Sequence, residues 1–180
     1  VQSGYKRDAK GDPQRHDTVG LPKKNKRSVD CDKAGQVMSL SLTYGIVRET
    51  LPRERRVALT PDGVERLIAA GHSVIIESDA GQSSGFSDDE YRAMGANISL
   101  SSQEVGAVAD VLVKVHAPSE SEFALLRNKG TVAGFLHLSS QRSAPLRAVI
   151  REREMHAIAF ELLEERDGSR PVLEAVSAIG

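Results

Sequence analysis

Cysteine occurs once in this chain, at Cys31, and tryptophan not at all. A single thiol excludes an internal disulfide and any cysteine-based metal cluster, and a reducing, cytoplasmic setting is expected. Aromatic residues are only 4% of the chain, which leaves few platforms for stacking nucleobases. Charge of neither sign predominates: 24 Lys and Arg stand against 25 Asp and Glu, so no overall basic field draws nucleic acid. No run of about 18 apolar residues occurs, which excludes a membrane-spanning helix. A basic start followed by an apolar stretch is also missing, so no secretory leader is expected. Gly-x-Gly-x-x-Gly, Walker-type loops and nucleophile-elbow serines are absent as well, so no cofactor-binding residues are assigned within these 180 residues.

What is present falls into two parts. Residues 1–37 carry nine Lys and Arg against five Asp, and their few apolar residues follow no period. A disordered basic extension is expected there, with Met38 placed like a start. Residues 38–180 form the second part and are ordinary globular sequence. Short apolar runs at 44–47, 74–76, 111–115, 131–136 and 157–160 read as strands buried on both faces, with a weaker candidate at 97–100.

The segments between the runs carry helix ends. Thr60 precedes Pro61 as a cap, and Gly71 closes that helix. Ser87 with Glu90, Ser101 with Glu104, and Ser119 with Glu122 have capping-box spacing. Phe86 with Tyr91 and Leu100 with Val105 are spaced as hydrophobic staples. Ser143 before Ala144 and Pro145 opens a further helix. The stretch from Asp79 to Gly85 reads as a plain loop. Alternating strands and helices predict an α/β fold: an open, wound, mostly parallel sheet with helices on both faces, Rossmann-like or flavodoxin-like but without a dinucleotide fingerprint.

Such a sheet gathers the loops at the carboxyl ends of its strands on one rim, where ligands bind. The loop after the first strand is cationic, and Arg56 within it offers a fork that matches a carboxylate or phosphate. His116 and His137 each end a later strand, and an imidazole exchanges protons near neutral pH. A solvated charge run and two buried structural histidines are the plain alternatives. The histidine spacing is not a helix-borne metal motif, and no acid is read beside them on the rim loops, so no metal is assigned.

These residues also resemble a known family. Glu54-Arg55-Arg56-Val57-Ala58-Leu59-Thr60-Pro61, Gly85-Phe86-Ser87-Asp88-Asp89-Glu90-Tyr91, Phe135-Leu136-His137-Leu138 and Ala157-Ile158-Ala159-Phe160-Glu161 resemble alanine dehydrogenases and pyridine-nucleotide transhydrogenases. The likeness runs in one register from Thr43 to Gly180, with a small insertion around 139–142. It implies the N-terminal substrate domain of an NAD-dependent oxidoreductase that interconverts a 2-amino acid and a 2-oxo acid plus ammonia. NAD would be bound by a second domain that this chain lacks, and a homo-oligomer is expected. By resemblance Arg56 binds the substrate carboxylate, His137 is the catalytic acid/base, and His116 stands where dehydrogenases carry a substrate-contacting lysine. The Val-His-Ala-Pro context of His116 also resembles transhydrogenases, so the transhydrogenase alpha subunit is the alternative. A non-catalytic small-carboxylate binding module is the alternative of another class.

Overall fold

The computed structural model describes residues 40–177. The expected basic extension, its boundary and the start at Met38 lie outside the described residues. Six strands form one sheet: β1 (Thr43–Ile46), β2 (Ser73–Glu77), β3 (Asn97–Ser99), β4 (Val111–His116), β5 (Thr131–Phe135) and β6 (His156–Ala159). All neighbours pair in parallel, and the order is β3-β2-β1-β4-β5-β6. Of the two wound topologies left open by the sequence, this is the Rossmann order. The chain steps outward from β1 to β3, then returns to pair β4 with the other side of β1. The crevice between the ends of β1 and β4 is therefore the switch point.

Helices α1 (Pro61–Ala69), α2 (Asp88–Ala93), α3 (Ser102–Val108) and α4 (Ala144–Glu152) connect strands, and α5 (Pro171–Ser177) follows β6. Strand alternation assigns them to faces. Val74 and Ile76 of β2 pack with Val64 of α1 and Tyr91 of α2. Ile75, one residue out of phase, joins Val105 of α3 and Leu146 of α4 on the opposite face with Leu112 and Val132. Covering both faces is what makes the strands read as continuous apolar runs.

The ends follow the sequence in part. Thr60 Oγ1 accepts from Gly63 N at 3.3 Å. Gly71, at φ +86°, closes α1 with the paired bonds of a Schellman turn, His72 N to Leu67 O and Gly71 N to Ile68 O. Ser87 and Glu90 form a full capping box, and Phe86 meets Tyr91 edge-on at 6.3 Å.

Three other ends differ from expectation. Glu104 does not return to the Ser101 amide. Ser99 Oγ sits between them, donating to Glu104 at 2.6 Å and accepting from Ser101 N at 3.1 Å, and Leu100 is 90% exposed rather than stapled. The Ser119–Glu122 capping box does form, with Glu122 Oε2 accepting from Ser119 N at 2.9 Å, but the segment it opens is a 3-10 helix over Glu120–Leu125, with Glu122 Oε1 on the buried Lys114. Ser143 turns its hydroxyl away from α4, which is entered through a 3-10 turn at Gln141–Ser143. The supposed plain loop after β2 likewise holds a 3-10 turn at Gln82–Ser84.

Two packing details carry expected outcomes. A Cβ on Gly106 would lie 2.6 Å from Leu125 O and 2.9 Å from Leu125 Cα, both backbone atoms. Alanine gains up to about 1 kcal/mol of helix propensity over glycine. Overpacking against backbone that cannot yield costs about 1–3 kcal/mol or more. Gly106→Ala is therefore expected to lower the urea midpoint; an unchanged or higher midpoint would refute the close approach. Tyr91 is fully buried, and its hydroxyl donates to Leu59 O at 2.7 Å. Burial pushes its phenol up to about 12, helped by the nearby Glu90 and Asp88. The unfolded chain then releases this proton near pH 10 and the folded one later. Stability is expected to fall as pH rises from about 10 towards about 12, and Tyr91→Phe should flatten that stretch of the melting profile.

Candidate functional site

The β1 strand delivers Arg48 and Glu49 to the switch point. Pairing between β4 and β5 is interrupted by a register shift between Val113 and His116. Here the Glu49 carboxylate accepts from Val115 N at 2.7 Å and from His116 N at 3.4 Å. A side chain from the β1 loop thus pairs the amides where β4 runs past the β1 ladder. Beneath it Lys114, 1% exposed, donates to Glu122 at 2.7 Å and lies 3.5 Å from Glu49. Arg48 caps the end of β2, its Nε 3.0 Å from Glu77 Oε1 and its amide 2.9 Å from Oε2. These ion pairs set where the β1 and β4 ends stand.

Farther along the loop, Glu54 joins two of the residues picked from the sequence. Its Oε1 accepts from Arg56 N at 2.8 Å and Arg56 Nε at 2.9 Å, and its Oε2 from Arg56 Nη2 at 2.6 Å. The same Oε2 is 2.6 Å from His116 Nε2, and Arg56 Nη2 is 3.3 Å from that nitrogen. The Glu54 side chain is 8% exposed against 50% for Arg56 and 31% for His116, so the carboxylate is sunk and the cation faces outward. The Arg56 side-chain bonds hold the Glu54 carboxyl far below the usual carboxylate range, against the opposing effect of burial, and the His116 bond adds to this. Arg56 is held still more firmly protonated by Glu54. With Nε and one side of Nη2 taken by Glu54, the donors left to a ligand are the outward ones on Nη1 and Nη2.

The acid beside His116 corrects the sequence reading, which placed none on the rim. Glu54 was missed because Arg-Glu-Arg-Arg reads as a solvated charge run, and its one signal is its place two residues before Arg56.

His137 stands on the neighbouring strand end, two residues past Phe135, which is in register with His116. Its imidazole is exposed, not buried, and stacks on Phe135 with ring centroids 6.4 Å apart. Its backbone is left-handed, at φ +46°. Among the described residues it makes no hydrogen bond to Arg56 or His116. The structure therefore joins Arg56 and His116 by contact and sets His137 apart on the same rim. A separate cavity of about 330 Å³ beside the β1 end is lined by Arg48, Glu49, Glu77 and Glu122, among others, and by none of these three residues.

Residues 45–180 match the family described as alanine dehydrogenase/PNT, N-terminal domain. The chain belongs to this family. An alanine dehydrogenase of Methanococcus maripaludis is 37% identical over 138 residues, and one of Mycobacterium tuberculosis is 36% identical over the same length. Each alignment covers 77% of this chain, which spans 36% of the first relative and 37% of the second. A solved L-alanine dehydrogenase superposes with a TM-score of 0.72 at 32% identity, covering 77% of this chain and 37% of the other. A transhydrogenase from Sinorhizobium meliloti superposes with a TM-score of 0.62 at 27% identity, covering 69% and 34%.

In this alanine dehydrogenase/PNT N-terminal domain the loop from Val47 to Thr60, which follows β1 at the switch point, carries no glycine. A pyrophosphate needs bare backbone amides from closely spaced glycines. Here the β1 end runs into Arg48 and Glu49, and the Glu49 carboxylate bonds the Val115 amide of β4 across the crevice. Among the described residues no helix is long and apolar enough to cross a membrane.

Proposed function

We propose that this domain holds a small 2-oxo or 2-amino acid for an NAD-dependent amino-acid dehydrogenase. The observation that carries the reading is the Arg56–Glu54–His116 constellation at the switch point, with an exposed His137 on the adjacent strand end. A sunken carboxylate that fixes an outward guanidinium is a preorganised receptor for a second carboxylate. Arg56 then holds the substrate carboxylate through its outward donors. His137 takes or gives the proton at the substrate's nitrogen or carbonyl oxygen. His116 faces the same ligand, oriented by Glu54. NAD, held by a domain beyond these residues, supplies the hydride acceptor. The exposure of Arg56 and His137 supports a second wall contributed by that domain.

Two outcomes test this in the longer protein carrying its nucleotide domain. Arg56→Lys replaces a fork by a point charge, and KM for the keto acid is expected to rise about 10–100-fold with kcat little changed. His116→Lys is expected to raise activity towards alanine and pyruvate, with Glu54 accepting from the ammonium in place of the imidazole. Unchanged KM in Arg56→Lys would remove the carboxylate role. Hydride exchange between nucleotides without amino-acid turnover would favour the transhydrogenase alternative.

A further inference from the structure

The mechanism above leaves Glu161 unused, and two of its features stand out. Its Oε1 accepts from the His137 backbone amide at 2.7 Å, and its Oε2 is buried with no hydrogen-bond partner among the described residues. Burying half a carboxylate unpartnered is unfavourable, and a neutral acceptor would satisfy one amide as well. The amide it binds belongs to a histidine in the left-handed region, where a residue with a Cβ rarely sits. Strained backbone persists only where its surroundings over-determine it.

Those surroundings are specific. β6 ends in a 3-10 turn, Phe160–Leu162, that crosses to the end of β5. From this turn Glu161 takes the His137 amide, while the neighbouring Phe160 ring meets Phe135 edge-on at 5.8 Å. Phe135 in turn stacks on the His137 imidazole. One turn therefore grips both the backbone and, through Phe135, the ring. The opposite side of the residue is closed by its carbonyl, which accepts from Ser143 Oγ and Ser140 N at 2.9 Å each. This explains why Ser143 turns from capping α4.

We propose that Glu161 is a positioning residue that holds His137 in its left-handed conformation and so aims the imidazole outward at the rim. The proposal rests on the reading of His137 as the proton carrier, and the test separates the two. In the isolated chain, amide NMR of Glu161→Ala is expected to show the His137 amide proton shifting upfield, farther than any amide outside 159–163. Glu161→Gln, which keeps an acceptor oxygen, is expected to shift it less. In the longer protein Glu161→Ala is expected to lower kcat about 10–100-fold with KM held, and Glu161→Gln to restore most of it. An unmoved His137 amide in both variants overturns the proposal. So does full kcat in Glu161→Ala when His137→Ala is slow. If the amide moves but His137→Ala itself keeps full rate, the positioning role stands and the proton-carrier reading fails.

Discussion

His137→Ala in the longer protein is expected to slow turnover by about 10²–10⁴-fold while leaving the unfolding midpoint nearly unchanged. The expected rate loss is that of a general acid/base whose proton reaches the reacting group directly. The small stability effect follows from exposure: the imidazole makes no hydrogen bond among the described residues, and its one ring neighbour is Phe135. The backbone bonds to Glu161, Ser143 and Ser140 do not depend on the side chain. Relief of the left-handed strain is not gained either, because alanine also carries a Cβ. A structural histidine predicts the reverse pattern, a lowered midpoint with full activity per folded molecule. Measuring steady-state rates beside denaturant midpoints distinguishes the two, and the second pattern would leave the domain as a carboxylate-binding module.

Lys114→Met is expected to destabilise the domain by about 3–5 kcal/mol, the cost of leaving buried charge unpaired. Lys114 is 1% exposed, and it faces Glu49 and Glu122 with side-chain exposures of 3% and 9%. Methionine fills similar volume, so packing changes little and the carboxylates carry the effect. Burial pushes the Glu122 carboxyl up, yet the Lys114 bond and the Ser119 bonds together outweigh this, and its pKa is lowered overall. A lowered folded pKa contributes stability that is present above the unfolded value of about 4.3 and is lost as pH falls through the folded value. The natural chain should therefore weaken on acidification below about pH 4. Without the lysine two of the causes that lower the Glu122 pKa are gone, so the gap between variant and natural chain should narrow in acid. Adding Glu122→Gln should recover part of the loss at pH 7. A loss below about 1 kcal/mol at pH 7 would show that water reaches the cluster.

The two outcomes meet at the β1–β4 crevice. Glu49, one of the carboxylates released by Lys114→Met, also holds the Val115 and His116 amides. Loss of the buried lysine should therefore loosen His116 even in molecules that stay folded, seen as a raised KM beyond what the unfolded fraction explains.

Strand runs, helix starts and the three rim residues were legible in the chain because each rests on local chemistry. Val74 to Ile76 is apolar on both faces whatever lies opposite, Thr60 followed by Pro61 begins a helix by its own bonding, and a histidine ending an apolar run ends at a rim. Where local devices failed, other groups intervened: Ser99 between Ser101 and Glu104, and the Leu136 and His137 carbonyls above Ser143. Strand order, the bonds of Glu54 to His116 and of Glu49 to Val115, and the grip of Glu161 on His137 all needed the folded chain. They join residues separated by 62, 66 and 24 positions. Such bonds form only after the sheet has excluded water from one partner, and no periodicity records which distant carboxylate is then nearest.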